Sequence, residues 1–146
     1  MSSEEKSAWT TMLVTTGTYA VYLILLFGRA GVTPLPKTPY VDLMLWAIGG
    51  SIVASILVSI VWGIARGIRD PRNIDRKDTR DREIFRYGEH VGSSFLIIGA
   101  VAALIMAWLT LDWFWIANVI YLGFVLQTIL SSITKVVAYR KGFQSW

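Results

Sequence analysis

Few residues in this chain are equipped for chemistry, and most of them are polar side chains inside or beside long apolar runs. Glu89 and His90 adjoin where a charged stretch enters an apolar one, and a carboxylate next to an imidazole is a pair that can titrate near neutral pH. Asp75, Asp78 and Asp81 fall three apart, a spacing that in isolation suggests oxygen ligands for a divalent cation. Arg76, Lys77, Arg80 and Arg82 are interleaved with them, and these cations would repel a metal and neutralise its ligands. Charge pairs such as Asp78 with Arg82 are the expectation instead.

Inside the apolar runs, Ala47, Ser51, Ser55, Ser59 and Gly63 recur every fourth residue and so share one helical face. Such a ridge either lets two helix backbones approach closely, making a central packing helix or a dimer seam, or lines a narrow polar route through its serines. Gly99, Ala103 and Ala107 repeat the same spacing further on. Asn118, Gln127 and Ser131 mark a candidate polar pathway, because Gly123, Gln127 and Ser131 lie on one face that continues to Lys135. An amide in lipid must find a partner, and interhelical hydrogen bonding is the commoner use. Thr11, Thr15, Thr18 and Tyr22 put a stripe of hydroxyls on one face of an earlier helix, open to the same two readings.

Much chemistry is excluded. The chain has no cysteine, which removes disulfides and thiolate metal sites, and His90 is its only histidine, so it cannot supply paired histidines to a haem or a zinc ion. No carboxylate stands at membrane mid-depth, where proton-coupled transport generally needs one. There is no phosphate-cradling glycine loop and no nucleophile elbow. We expect no catalytic residues, no metal and no cofactor, and a protein that is not an enzyme.

The elements that carry these residues follow from hydropathy. Of 146 residues, 54% are hydrophobic, and they come in runs long enough for a bilayer, which takes about 20 helical residues. The pattern predicts an all-α fold, an integral membrane four-helix bundle, as a single domain over 1–146 with spans at 8–27, 40–64, 91–109 and 113–137. The first run is too long for a signal peptide and begins with Glu4 and Glu5 where a basic segment should be. Three prolines between positions 30 and 39 make a short stiff connection, and Trp113-Phe114-Trp115 marks an interface after a tight turn. Between spans two and three lies a charged linker, 66–89, in which Asp70-Pro71 and Asp78 with Asp81 have the character of helix starts, so that a short helix leading into span three is expected.

Four spans put both termini and the charged linker on one side. Of the fourteen lysines and arginines only Arg29 and Lys37 fall on the other side, so the positive-inside rule predicts cytoplasmic termini in a bacterial inner membrane. The sequence pI of about 9.6 therefore reflects orientation and anionic lipid, which argues against nucleic acid as a partner. Arg66, Arg69, Arg72, Arg76, Lys77, Arg80 and Arg82 are the residues expected to meet lipid headgroups or a cytoplasmic protein.

Arg80-Asp81-Arg82-Glu83-Ile84, then Gly88, an apolar span and Asp112 before Trp115-Ile116-Ala117-Asn118, resembles an uncharacterised family of small bacterial four-helix inner-membrane proteins over roughly the C-terminal half. Some members are encoded beside helix-turn-helix regulators, so the resemblance implies an accessory or regulatory role and supplies no catalytic residues. The leading expectation is a non-enzymatic membrane protein whose charged linker meets a protein partner or anionic lipid. The alternative is a homo-oligomeric channel or small transporter lined by the small and polar residues of spans two and four.

Overall fold

The structure is a computed structural model that describes residues 3–69 and 79–141, the side chains of Ser3, Arg66 and Arg69 excepted. All of its regular secondary structure is helical. Helix α1 (Ser3–Ala30) is followed by a one-turn 3-10 segment (Leu35–Lys37), then α2 (Val41–Arg69), α3 (Thr79–Trp108) and α4 (Trp113–Lys141). Each of the four long helices is long and apolar enough to cross a membrane, the architecture of a multi-pass membrane protein. In lipid a backbone has to satisfy its own N–H and C=O groups, which is why these apolar runs are helical throughout.

The helices end where the local chemistry stops them. After Ala30, Gly31 takes φ +42° and its N–H returns to the Phe27 carbonyl, and Pro34, Pro36 and Pro39 then prevent α1 from continuing. Arg29 reaches across this connection to both carboxylate oxygens of Asp42, at 2.9 and 2.7 Å, and holds the start of α2 beside the end of α1. At the α3–α4 turn, the N–H groups of Thr110 and Leu111 bond to the carbonyls of Ala107 and Met106, a Schellman closure with Thr110 itself at φ 53°. Asp112 stands just before α4, a position that favours aspartate.

The packing order is α2–α1–α4–α3: α2 lies on α1, α1 on α4 and α4 on α3, and no other pair of helices packs extensively. This corrects the expectation that the small-residue ridge of span two belongs to a central packing helix. The centre is α4, whose Phe114, Tyr121, Val125, Ser131, Ser132 and Val136 are all buried, whereas Ala47 is the buried residue that α2 contributes among those described. The physical reason lies in what α4 offers on two faces: an aromatic face for α1 and a face of glycine and serine for α3. Tyr19, Tyr22 and Tyr121 meet edge to face or stacked between α1 and α4, and with Leu26, Ala47, Phe114 and Val125 they form the core near the connecting loops.

The helices also run further than the spans predicted from hydropathy. Positions 66–69 are the last turn of α2, and 79–89 are the first three turns of α3, so the described parts of the charged stretch prolong the membrane helices. Nothing between 79 and 87 breaks a helix, since neither glycine nor proline occurs there. The expected helix starts at Asp70-Pro71 and Asp78, the aspartates Asp75 and Asp78, and Arg72, Arg76 and Lys77 all lie outside the described residues.

Candidate functional site

Two places in the molecule gather polar residues: the face that carries both chain ends, and a cleft within the spans. On the terminal face, α4 is tied to both of its neighbours. The Lys135 ammonium donates to Glu89 Oε1 at 2.7 Å, and Ser131 Oγ donates to the same oxygen at 2.8 Å. Lys135 also sits over the Phe85 ring, 3.9 Å from its centroid, and its side chain is only 14% exposed against 43% for Glu89. One turn further along α4, Tyr139 donates its hydroxyl to Asp81 at 3.0 Å. Arg140 Nε donates at 2.9 Å to Glu5, a buried carboxylate at the start of α1.

These bonds form because α3 and α4 come unusually close. A Cβ placed on Gly92 would lie 2.6 Å from the Gln127 carbonyl oxygen, and one on Gly99 would lie 3.2 Å from the Gly123 Cα. At Gly88 it would meet the stem of Lys135 at 2.7 Å. Three glycines therefore let α3 lie against Gly123, Gln127, Ser131 and Lys135 in turn, with Ala103 buried beyond them. Gly88 and Gly92 stand four apart and continue to Gly99 and Ala103 on one face, a signal present in the sequence but cut in two by starting span three at position 91.

Asn118 accepts the Tyr22 hydroxyl at 2.7 Å and donates to the Phe114 carbonyl at 2.9 Å, so its amide joins α1 to α4. Ser131 is spent on Glu89, and Gln127 lies against Gly92. Glu89 and His90, consecutive in α3, point about 100° apart. Glu89 turns to α4, while His90 is exposed and its carbonyl accepts from Ser93 and Ser94. Of the expected packing residues, Ala47 and Ala103 are buried and Gly99 is in close contact, but Ser59, Gly63 and Ala107 are exposed, and no atom lies within 4 Å of where a Cβ on Gly63 would stand. Arg80 and Arg82 are exposed. Arg82, Phe85, Arg86, Lys135 and Tyr139 border a hollow of about 240 Å³ on the terminal face, together with Glu4 and Asp81.

The second place is a cleft of about 540 Å³ between α2 and α4, floored by α1. Thr11, Thr15 and Thr18 form the floor, Ser51 and Ser55 stand on the α2 wall, and Tyr121 and Thr128 on the α4 wall. It opens because α2 packs on α1 without closing against α4. Four of its hydroxyls are already committed: Ser51 donates to the Ile48 carbonyl, Ser55 to that of Ser51, Thr18 to that of Val14 and Thr128 to that of Phe124. Among the described residues, no charged side chain and no side-chain amide lines it.

Comparison of the chain with protein-family models, with curated proteins and with solved structures returns no match.

Proposed function

We propose that the protein is a non-enzymatic bacterial inner-membrane protein with an accessory or regulatory role, whose charged stretch 66–89 meets a cytoplasmic protein partner or anionic lipid. The observation that carries this is the way the first turns of α3 are held. Asp81 and Glu89 bond to Tyr139 and Lys135 of the central helix, which in turn bonds Glu5 of α1, while Arg80, Arg82 and Arg86 project outward from the same turns. A change in packing along α4 would therefore move the cations that a partner reads. Deleting residues 75–81 is expected to abolish co-purification of a partner and binding to anionic vesicles while the spans remain folded. If both survive the deletion, the charged stretch has no such role.

The threading that this role needs has both termini in the cytoplasm. It is supported by the charge distribution, with only Arg29 and Lys37 on the loop side. The chain has no cysteine of its own, so single replacements report cleanly. A membrane-impermeant thiol reagent is expected to label Thr33→Cys on intact cells, and to reach Lys141→Cys only after the membrane is opened. The opposite pattern would reverse the orientation.

A homo-oligomeric channel or small transporter draws less support. Asn118 and Ser131 place their polar atoms in bonds between helices, and the serines of α2 donate to their own helix.

A further inference from the structure

The hollow on the terminal face lies where three helices end together: Glu4 on α1, the first turns of α3, and Lys135 and Tyr139 on α4. Its α4 wall straddles position 137, where the apolar run of that helix gives way to Tyr139, Arg140 and Lys141, so the hollow stands at headgroup depth and not in hydrocarbon. At about 240 Å³ it is smaller than the roughly 300 Å³ at which sites for drug-sized ligands begin, and it suits a small polar group.

The charges around it are unevenly engaged. Lys135 is neutralised by Glu89, 2.7 Å away, and Asp81 accepts the Tyr139 hydroxyl on one of its oxygens. Arg82 and Arg86 are exposed, and among the described residues neither makes a hydrogen bond or an ion pair. They stand one helical turn apart, which puts their Cβ atoms about 5–6 Å from each other, and two guanidiniums at that spacing can share the oxygens of one phosphate. A plain anion fits less well, because the carboxylates of Asp81 and Glu4 border the same hollow. The second oxygen of Asp81 accepts no bond among the described residues and is open to an ammonium donor. Phe85 and Tyr139 add ring surface on which a short methylene link can rest.

We propose that this hollow binds a phosphoethanolamine group, carried by a phospholipid or free in solution, with its phosphate on Arg82 and Arg86 and its primary ammonium on Asp81. The site lies in the charged stretch read above as a contact surface, rests on that reading, and gives the surface one ligand chemistry at one place.

The test is native mass spectrometry of the full chain released from nanodiscs made of equal parts phosphatidylethanolamine, phosphatidylcholine and phosphatidylglycerol. The expected result is one retained phospholipid per monomer, enriched at least threefold in phosphatidylethanolamine over either of the others. Choline has no N–H to donate to Asp81, and glycerol has no ammonium at all. Arg82→Gln combined with Arg86→Gln is expected to lower retention of all three at least fivefold, and both side chains are exposed, so the fold should survive the change. Asp81→Asn, whose amide oxygen can still accept from Tyr139, should keep a bound lipid but return the headgroup ratio to that of the bilayer. Soluble O-phosphoethanolamine, added to the chain in detergent, separates the two sources. Its binding, lost in the double variant, upholds the site with the headgroup unit sufficient; retention of the lipid alone upholds it with the acyl chains required as well. Equal retention of the three lipids without binding of the soluble compound overturns the site, as does undiminished retention in the double variant. A preference for phosphatidylglycerol overturns the phosphoethanolamine assignment and leaves the broader role of the charged stretch standing. That role fails separately, if deleting 75–81 changes neither partner nor vesicle binding.

Discussion

Thr110 holds a conformation that its side chain resists. At φ 53° a β-branched residue occupies the left-handed region that glycine takes without penalty, and it does so to let the N–H groups of Thr110 and Leu111 close the end of α3. The steric penalty is about 1–2 kcal/mol, and the greater freedom of glycine in the unfolded chain returns about 0.5–1 kcal/mol of it. Thr110→Gly is therefore expected to raise stability by roughly 0.5–1 kcal/mol in equilibrium unfolding, and Thr110→Ala, which keeps a Cβ, to bring no such gain. Equal effects from the two variants would mean that the turn is not strained. A tight turn between positions 109 and 113 was legible in the sequence, since Thr110-Leu111-Asp112 separates two apolar runs. The left-handed residue was not, because no glycine or asparagine marks it. Glu5 was hidden for a related reason. An acid in a polar N-terminal segment reads as solvent-exposed, and its partner Arg140 lies 135 positions away.

Among the elements, the contrast between α2 and α3 shows what a ridge of small residues does and does not say. Both helices carry one and both stand at an end of the packing order, yet it is the less regular of the two, on α3, that comes into close backbone contact with its neighbour. The neighbour decides: α4 presents Gly123 and Ser131 to α3, while the tyrosines of α1 are turned to Tyr121 of α4 and its threonines line the open cleft beside α2. Gly92→Ala would drive its methyl into a backbone carbonyl and is expected to destabilise by about 1–3 kcal/mol, whereas at Gly63 no atom lies within 4 Å of the new methyl and alanine should be neutral or stabilising by up to about 1 kcal/mol. Thermal unfolding in detergent reads both. A penalty at Gly63 as large as that at Gly92 would show that the α2 ridge is covered by something outside this chain, such as a second copy. The existence of four helices was legible because lipid-length apolar runs have few alternatives. Their charged extensions were not, since hydropathy marks where a helix leaves the bilayer and not where it stops being a helix.

For the molecule as a whole, the number of long apolar helices can be read from hydropathy, but neighbour order cannot, because several of these helices carry a face of small or polar residues that could meet any other. The observed order, α2–α1–α4–α3, places the C-terminal helix between two others. During synthesis α4 is the last of the four to leave the ribosome, yet α3 has no other extensive partner, and Asp81 and Glu89 wait for Tyr139, Ser131 and Lys135 to arrive. A chain stalled before α4 is inserted would be left with an α1–α2 pair, a solitary third helix and two carboxylates lacking these donors. Packing is thus completed only when α4 arrives, and a copy without it differs from a finished one by carboxylates that have lost these donors.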